Sequence, residues 1–138
     1  MATGFMVDFY WYELGTSDFV HSFFSTISYH LEKEGWGEKY PCLMKELYSG
    51  KLKSENLSKA IKETNEIREK LKMFLPSEVV WDIEDLSKQP PWGDNISSEI
   101  TDLSNYFVTS DGKDMFEVLL YALNEALEEG VDLEIKNV

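Results

Sequence analysis

A single cysteine, Cys42, occurs in 138 residues, so no disulfide can form within the chain. Histidine is nearly as scarce. His21 and His30 lie nine positions apart, off any shared helical face, and neither has a cysteine or a further histidine nearby to complete a zinc set. No apolar run approaches the roughly 20 residues that a membrane-spanning helix needs. The first fifteen residues have neither a basic start nor a continuous apolar stretch, so they do not read as a secretory signal. No phosphate-cradling glycine motif and no calcium-loop spacing is present. Lysine and arginine are missing altogether from residues 1–32. These absences lead us to expect a cytoplasmic protein with no cofactor, no structural metal and no membrane segment.

What is abundant is negative charge and aromatic surface. Asp and Glu number 26 against 13 Lys and Arg, a net charge of −13. Such a field repels nucleic acid and anionic lipid and attracts basic partners. Apolar residues make up 43% of the chain and aromatics 14%, which is the composition of a folded protein and not of an acidic disordered tail. The basic residues are unevenly placed. Residues 33–75 hold ten of the 13, while residues 76–112 hold one, Lys88, against eight acids.

Periodicity gives the outline. Apolar residues at 5, 7, 9 and 11 predict one strand over 5–12 with Trp11 on its buried face. Thr16 or Ser17 is placed to cap a helix striped by Phe19, Phe23, Phe24, Ile27 and Leu31, with His21, Ser25 and Ser28 on the opposite side. Pro41 suits the first turn of a short helix carrying Leu43, Met44 and Leu47. Cys42 there reads as a small buried residue in preference to a reactive thiolate. Ser54 opens a third helix with Leu57, Ile61, Thr64, Ile67 and Leu71 inside and mixed charges outside. Val79, Val80 and Trp81 predict a short strand with Trp81 buried in it. Ser97 or Ser98 predicts a short helix through Ile100 and Leu103. Ser110-Asp111-Gly112 is a turn. Met115 opens a last helix with Gly130 just past its end, and residues 131–135 alternate as a closing strand. We therefore expect one α+β domain spanning residues 1–138, a small sheet of about three strands covered by four to five helices.

Residues 79–97, VVWDIEDLSKQPPWGDNIS, break the pattern. Asp82, Glu84 and Asp85 follow the strand directly. Pro90 and Pro91 forbid backbone donation and extend the chain, and Gly93 permits a turn. Asp94 and Asn95 come next. Loops are commonly small and polar, and one that carries a tryptophan such as Trp92 between Pro91 and Gly93 reads as a binding element. The candidate contact residues are Asp82, Glu84, Asp85, Trp92, Asp94 and Asn95. The carboxylates allow two further readings: a metal-dependent hydrolase, since hard cations want several oxygens, or a general acid/base pair. A third reading places the contact on residues 54–75, as in a regulatory adaptor.

The run WDIEDLSKQPPWGDNIS at 81–97, with NYFVTSDGKD at 105–114 and HSFF at 21–24, resembles the immunity protein 70 family of bacterial polymorphic toxin systems. The likeness extends from the first strand to the last helix. It implies a non-enzymatic inhibitor that binds the toxin domain of the cell's own effector and neutralises it. Many toxin domains that attack nucleic acid are basic, and a negatively charged antagonist associates quickly with such a surface. The family supplies no interface residues, so the six residues above rest on the loop's own composition.

Overall fold

The computed structural model describes residues 2–138. Its sheet has four strands: β1 (Thr3–Val7), β2 (Tyr10–Gly15), β3 (Lys51–Leu52) and β4 (Leu133–Asn137). Their order is β2-β1-β4-β3, and every neighbouring pair is antiparallel. Three α-helices complete the regular structure: α1 (Ser17–Leu31), α2 (Leu57–Leu71) and α3 (Met115–Glu129). A π-helical segment at Cys42–Leu47 and two single 3₁₀ turns stand between them. The α+β architecture expected from the sequence is the one found, with about four helices counting the π-helical segment and one strand more than expected.

The first strand is in fact a hairpin. Val7 pairs with Tyr10, leaving Asp8 and Phe9 as a two-residue turn, and Asp8 takes φ 54°. Asp tolerates that left-handed conformation better than most side chains. The reversal also resets the parity of the strand. Phe5 and Val7 face the core, so their partners Tyr12 and Tyr10 share that face, and Trp11 is carried to the other side. Phe9, read as part of the buried stripe, sits at the tip and is 90% exposed. Trp11 instead lies over Gly4, where a Cβ would come within 2.5 Å of the Tyr12 carbonyl oxygen and 2.7 Å of the indole ring.

On the other face of the sheet, α3 packs across β1 and β2 and α2 packs against α3. The centre is aromatic. Phe23 meets Phe107 and Phe116 edge-to-face at centroid distances of 5.3 and 5.1 Å, and Phe19 meets Phe107 at 5.9 Å. Thr16 caps α1 by accepting from the Phe19 N–H, and Asp114 caps α3 by accepting from Phe116 and Glu117. Gly130 ends α3 in the left-handed region.

Two expected elements are absent. Residues 79–81 form no strand, because Val80 spends its backbone groups on α1 side chains and not on the sheet. Residues 97–107 form no helix. Asn105 Oδ1 accepts from the N–H groups of Thr101 and Asp102, and Asp102 accepts from Ser104, so side chains take the bonds a helix would have used. β3 escaped the sequence because two residues carry no readable alternation.

Candidate functional site

The irregular segment 79–97 is fastened to α1 by a row of hydroxyls. Val80 N–H donates to Thr26 Oγ1 at 3.0 Å, and Val80 O accepts from Ser22 Oγ at 2.8 Å and Thr26 Oγ1 at 3.1 Å. Ile83 N–H donates to Ser25 Oγ at 3.2 Å. His30 Nε2 lies 2.7 Å from Glu78 O at the start of the segment. Ser22, Ser25 and Thr26 are fully buried. The polar side of α1, to which the sequence reading assigned His21, Ser25 and Ser28, is thus a seam that holds the loop, with Ser22 and Thr26 added to it.

His21 continues the seam. Its Nε2 is 3.1 Å from Asp82 Oδ1, its Nδ1 is 2.7 Å from the Tyr48 hydroxyl, and its ring stacks on Trp36 at 6.3 Å. Tyr48 follows directly on the π-helical segment, so that local irregularity decides where its hydroxyl falls. Burial, with Glu84 and Asp82 nearby, pushes the Tyr48 phenol above its ordinary range. Asp82 accepts the Glu84 N–H at 2.9 Å, which is the largest influence holding its carboxyl below the usual carboxylate range, with His21 and Lys88 adding to it. Lys88 Nζ sits 3.5 Å from Asp82 Oδ2. Asp82 is therefore half-buried and engaged within the molecule.

Beyond Asp82 the loop faces outward. Glu84, Asp85, Asp94 and Asn95 are exposed. The Asp85 carboxylate accepts from the Ser87 hydroxyl at 2.6 Å and from its N–H at 3.1 Å, and these bonds hold it below its ordinary range. Gly93, at φ 58°, closes a turn in which its N–H bonds Pro90 O at 2.9 Å, and Asn95 N–H then bonds Trp92 O at 3.0 Å. Trp92 is held in place. Its indole N–H donates to Tyr106 Oη at 2.8 Å, and its ring meets Trp81 edge-to-face at 5.4 Å. Even so it remains 37% exposed. Beside it opens a groove of about 310 Å³ floored by Phe19, Ile96, Ile100, Tyr106 and Val108, with Asn95 and Ser97 at the rim.

Five of the six candidate contacts thus share one outward-facing segment, and the sixth anchors it. Trp81 is half-buried against the core, though outside any strand. Sequence reasoning missed His21, Tyr48 and the hydroxyl row. A signal was there: residues 19–31 of α1 carry no lysine, arginine, aspartate or glutamate, and a solvated helix face rarely does without them. Among the described residues no three His, Cys, Asp or Glu side chains converge as a metal cage requires, so the carboxylate-hydrolase reading finds no ligand set. Cys42 is buried, and burial with Glu63 beside it pushes its thiol up to about 11, which suits a packing role.

The loop thus presents an exposed aromatic ring and several carboxylates on a pinned scaffold. The family model described as Immunity protein 70 matches residues 5–135. The chain belongs to that family. No curated protein and no solved structure matches it significantly. The immunity protein 70 match takes in α1, the whole of the 79–97 loop and α3, so the seam and the groove both fall within the family's extent. It makes the chain an immunity protein, a class whose partner is a toxin and whose members are generally non-catalytic.

Proposed function

We propose that this immunity protein neutralises a polymorphic toxin domain by binding a basic surface of it with residues 82–108. Glu84, Asp85, Asp94 and Asn95 meet the partner, Trp92 is the desolvated anchor, and Asp82 acts as a positioning residue through His21 and Lys88. The observation that carries the reading is Trp92 itself. A large ring fixed at two points yet still over a third exposed, next to an apolar groove and flanked by acids, has its binding conformation set in advance. Lys88 is the sole cation of the loop and is already paired, so the outward charge is negative. Loop carboxylates around an aromatic anchor suit a basic toxin, because complementary charge speeds encounter and disfavours wrong partners. In this reading the protein blocks the toxin by occupying it and transforms nothing.

The test is co-expression with the toxin encoded beside it, followed by affinity measurement on the isolated complex. Trp92→Ala combined with Asp85→Ala is expected to weaken binding by more than about 2 kcal/mol, the scale of an interface hot spot. Unchanged affinity in that double variant would move the interface off this loop. A toxin that still kills in the presence of the wild-type protein, with no complex recovered, would remove the toxin altogether.

A further inference from the structure

The hairpin and α3 form a second concave surface that the loop reading leaves unused. A cleft of about 450 Å³ lies between them, lined by Tyr10, Tyr12, Tyr121, Glu125, Glu128 and Glu129. Tyr12 and Tyr121 meet edge-to-face at 5.8 Å, and the Tyr12 hydroxyl donates to Glu125. Tyr10 and Tyr121 are each 62% exposed, an unusual degree for two neighbouring aromatic rings. Tyr121, Glu125, Glu128 and Glu129 recur at helical spacing, so they fall on one stripe of α3.

The three glutamates are badly placed for stability. They occupy the last turns of α3, where the backbone carbonyls already present partial negative charge and a cation is favoured. That helix ends with no basic residue in its last turn, whereas α2 ends with Arg68 and Lys70. Among the described residues, no lysine or arginine pairs with Glu125, Glu128 or Glu129. A cation held beside the exposed rings would relieve this arrangement.

We propose that this cleft receives an arginine side chain from a basic protein partner. A guanidinium stacks on tyrosine faces and takes two carboxylate oxygens at once, which suits rings beside several glutamates better than the compact ammonium of lysine does. The assignment stands apart from the loop site and holds whether or not that loop contacts a toxin.

The probe is N-acetyl-arginine methylamide, titrated into the whole protein at low salt and followed through backbone amide shifts. Its neutral isostere N-acetyl-citrulline methylamide serves as control. Saturable shifts are expected at residues 10–12 and 121–129 with the arginine compound alone. Tyr121→Ala is expected to weaken them at least fivefold, and Glu128→Gln severalfold. Both positions are on the surface, and the same spectra report whether each variant is folded; Tyr10→Ala provides a further ring deletion. Equal shifts with citrulline, shifts centred on residues 82–99, or affinity unaltered by Tyr121→Ala would each overturn the assignment.

Discussion

Thr26 shows how much one hydroxyl can decide. It accepts from Val80 N–H and donates to Val80 O, both buried, so a single side chain satisfies the strand-like groups that never reach the sheet. Thr26→Val keeps the shape and removes the partner. Leaving a buried backbone N–H unsatisfied costs about 1–3 kcal/mol. We expect that loss in urea denaturation, faster hydrogen exchange at Val80, and recovery of most of it in Thr26→Ser. Wild-type stability in the valine variant would mean that the seam does not hold the loop. The candidate site was legible in the sequence at this scale only in part. Trp92, Glu84, Asp85, Asp94 and Asn95 stand out by composition alone, because large and charged side chains in a proline-bent stretch have few structural uses. Asp82 looked identical to its neighbours. Its distinct role depends on His21 and Tyr48, residues 61 and 34 positions away in sequence, and no local pattern encodes a contact of that range.

At the level of elements, the long periodic helices were readable and the short or bent pieces were not. The stripes of α1, α2 and α3 each repeat over 15 residues, enough turns for the 3.6-residue period to dominate. The hairpin was misread because alternation from 5 to 11 runs straight through its two-residue turn, which contains no glycine or asparagine to mark it. The π-helical segment has its own dependence on chemistry. Glu63 of α2 is buried and accepts from Cys42 N–H at 3.3 Å and Leu43 N–H at 3.1 Å, so one carboxylate caps the segment's first donors. Burial raises the Glu63 carboxyl above its ordinary value of 4.5, and those two N–H groups only partly offset it. A raised carboxyl binds its proton more tightly when folded, so its contribution is fully present below 4.5 and is lost as pH rises through the folded value. Asp82, Asp85, Asp102 and Glu66 are shifted the other way and lose stability as pH falls, so the whole-protein curve mixes both signs. The difference between Glu63→Gln and wild type isolates one group. That difference is expected to move in favour of the variant as pH is raised from about 5 to 8 in a series of urea titrations. A flat difference would show that Glu63 keeps its ordinary acidity in the fold.

For the molecule as a whole, a net charge of −13 on 138 residues sets self-repulsion against every compact arrangement. The ion pairs that oppose it are weak. Lys45–Glu38, Lys70–Glu66 and Lys72–Glu69 are all largely exposed, and pairs of that kind contribute about 0–1 kcal/mol each. Added salt screens both, but the repulsion sums over 26 acids and 13 bases while the attractions are few and already solvated. Screening should therefore stabilise the fold. Raising sodium chloride from about 20 to 500 mM shortens the Debye length severalfold, and a gain on the order of 1 kcal/mol would raise Tm by about 4 °C for a chain of this size. Chloride is the salt of choice because sulfate also strengthens apolar burial and would confuse the two effects. Differential scanning calorimetry over that range is the check, and a Tm that falls with salt would show that specific ion pairs outweigh the repulsion. The same field gives the opposite sign for recognition. A basic partner supplies the positive charge that salt supplies here, so conditions that steady the free protein are those in which it meets such a partner most slowly. Under the proposed binding mode, the excess charge that weakens the isolated fold serves to find the partner.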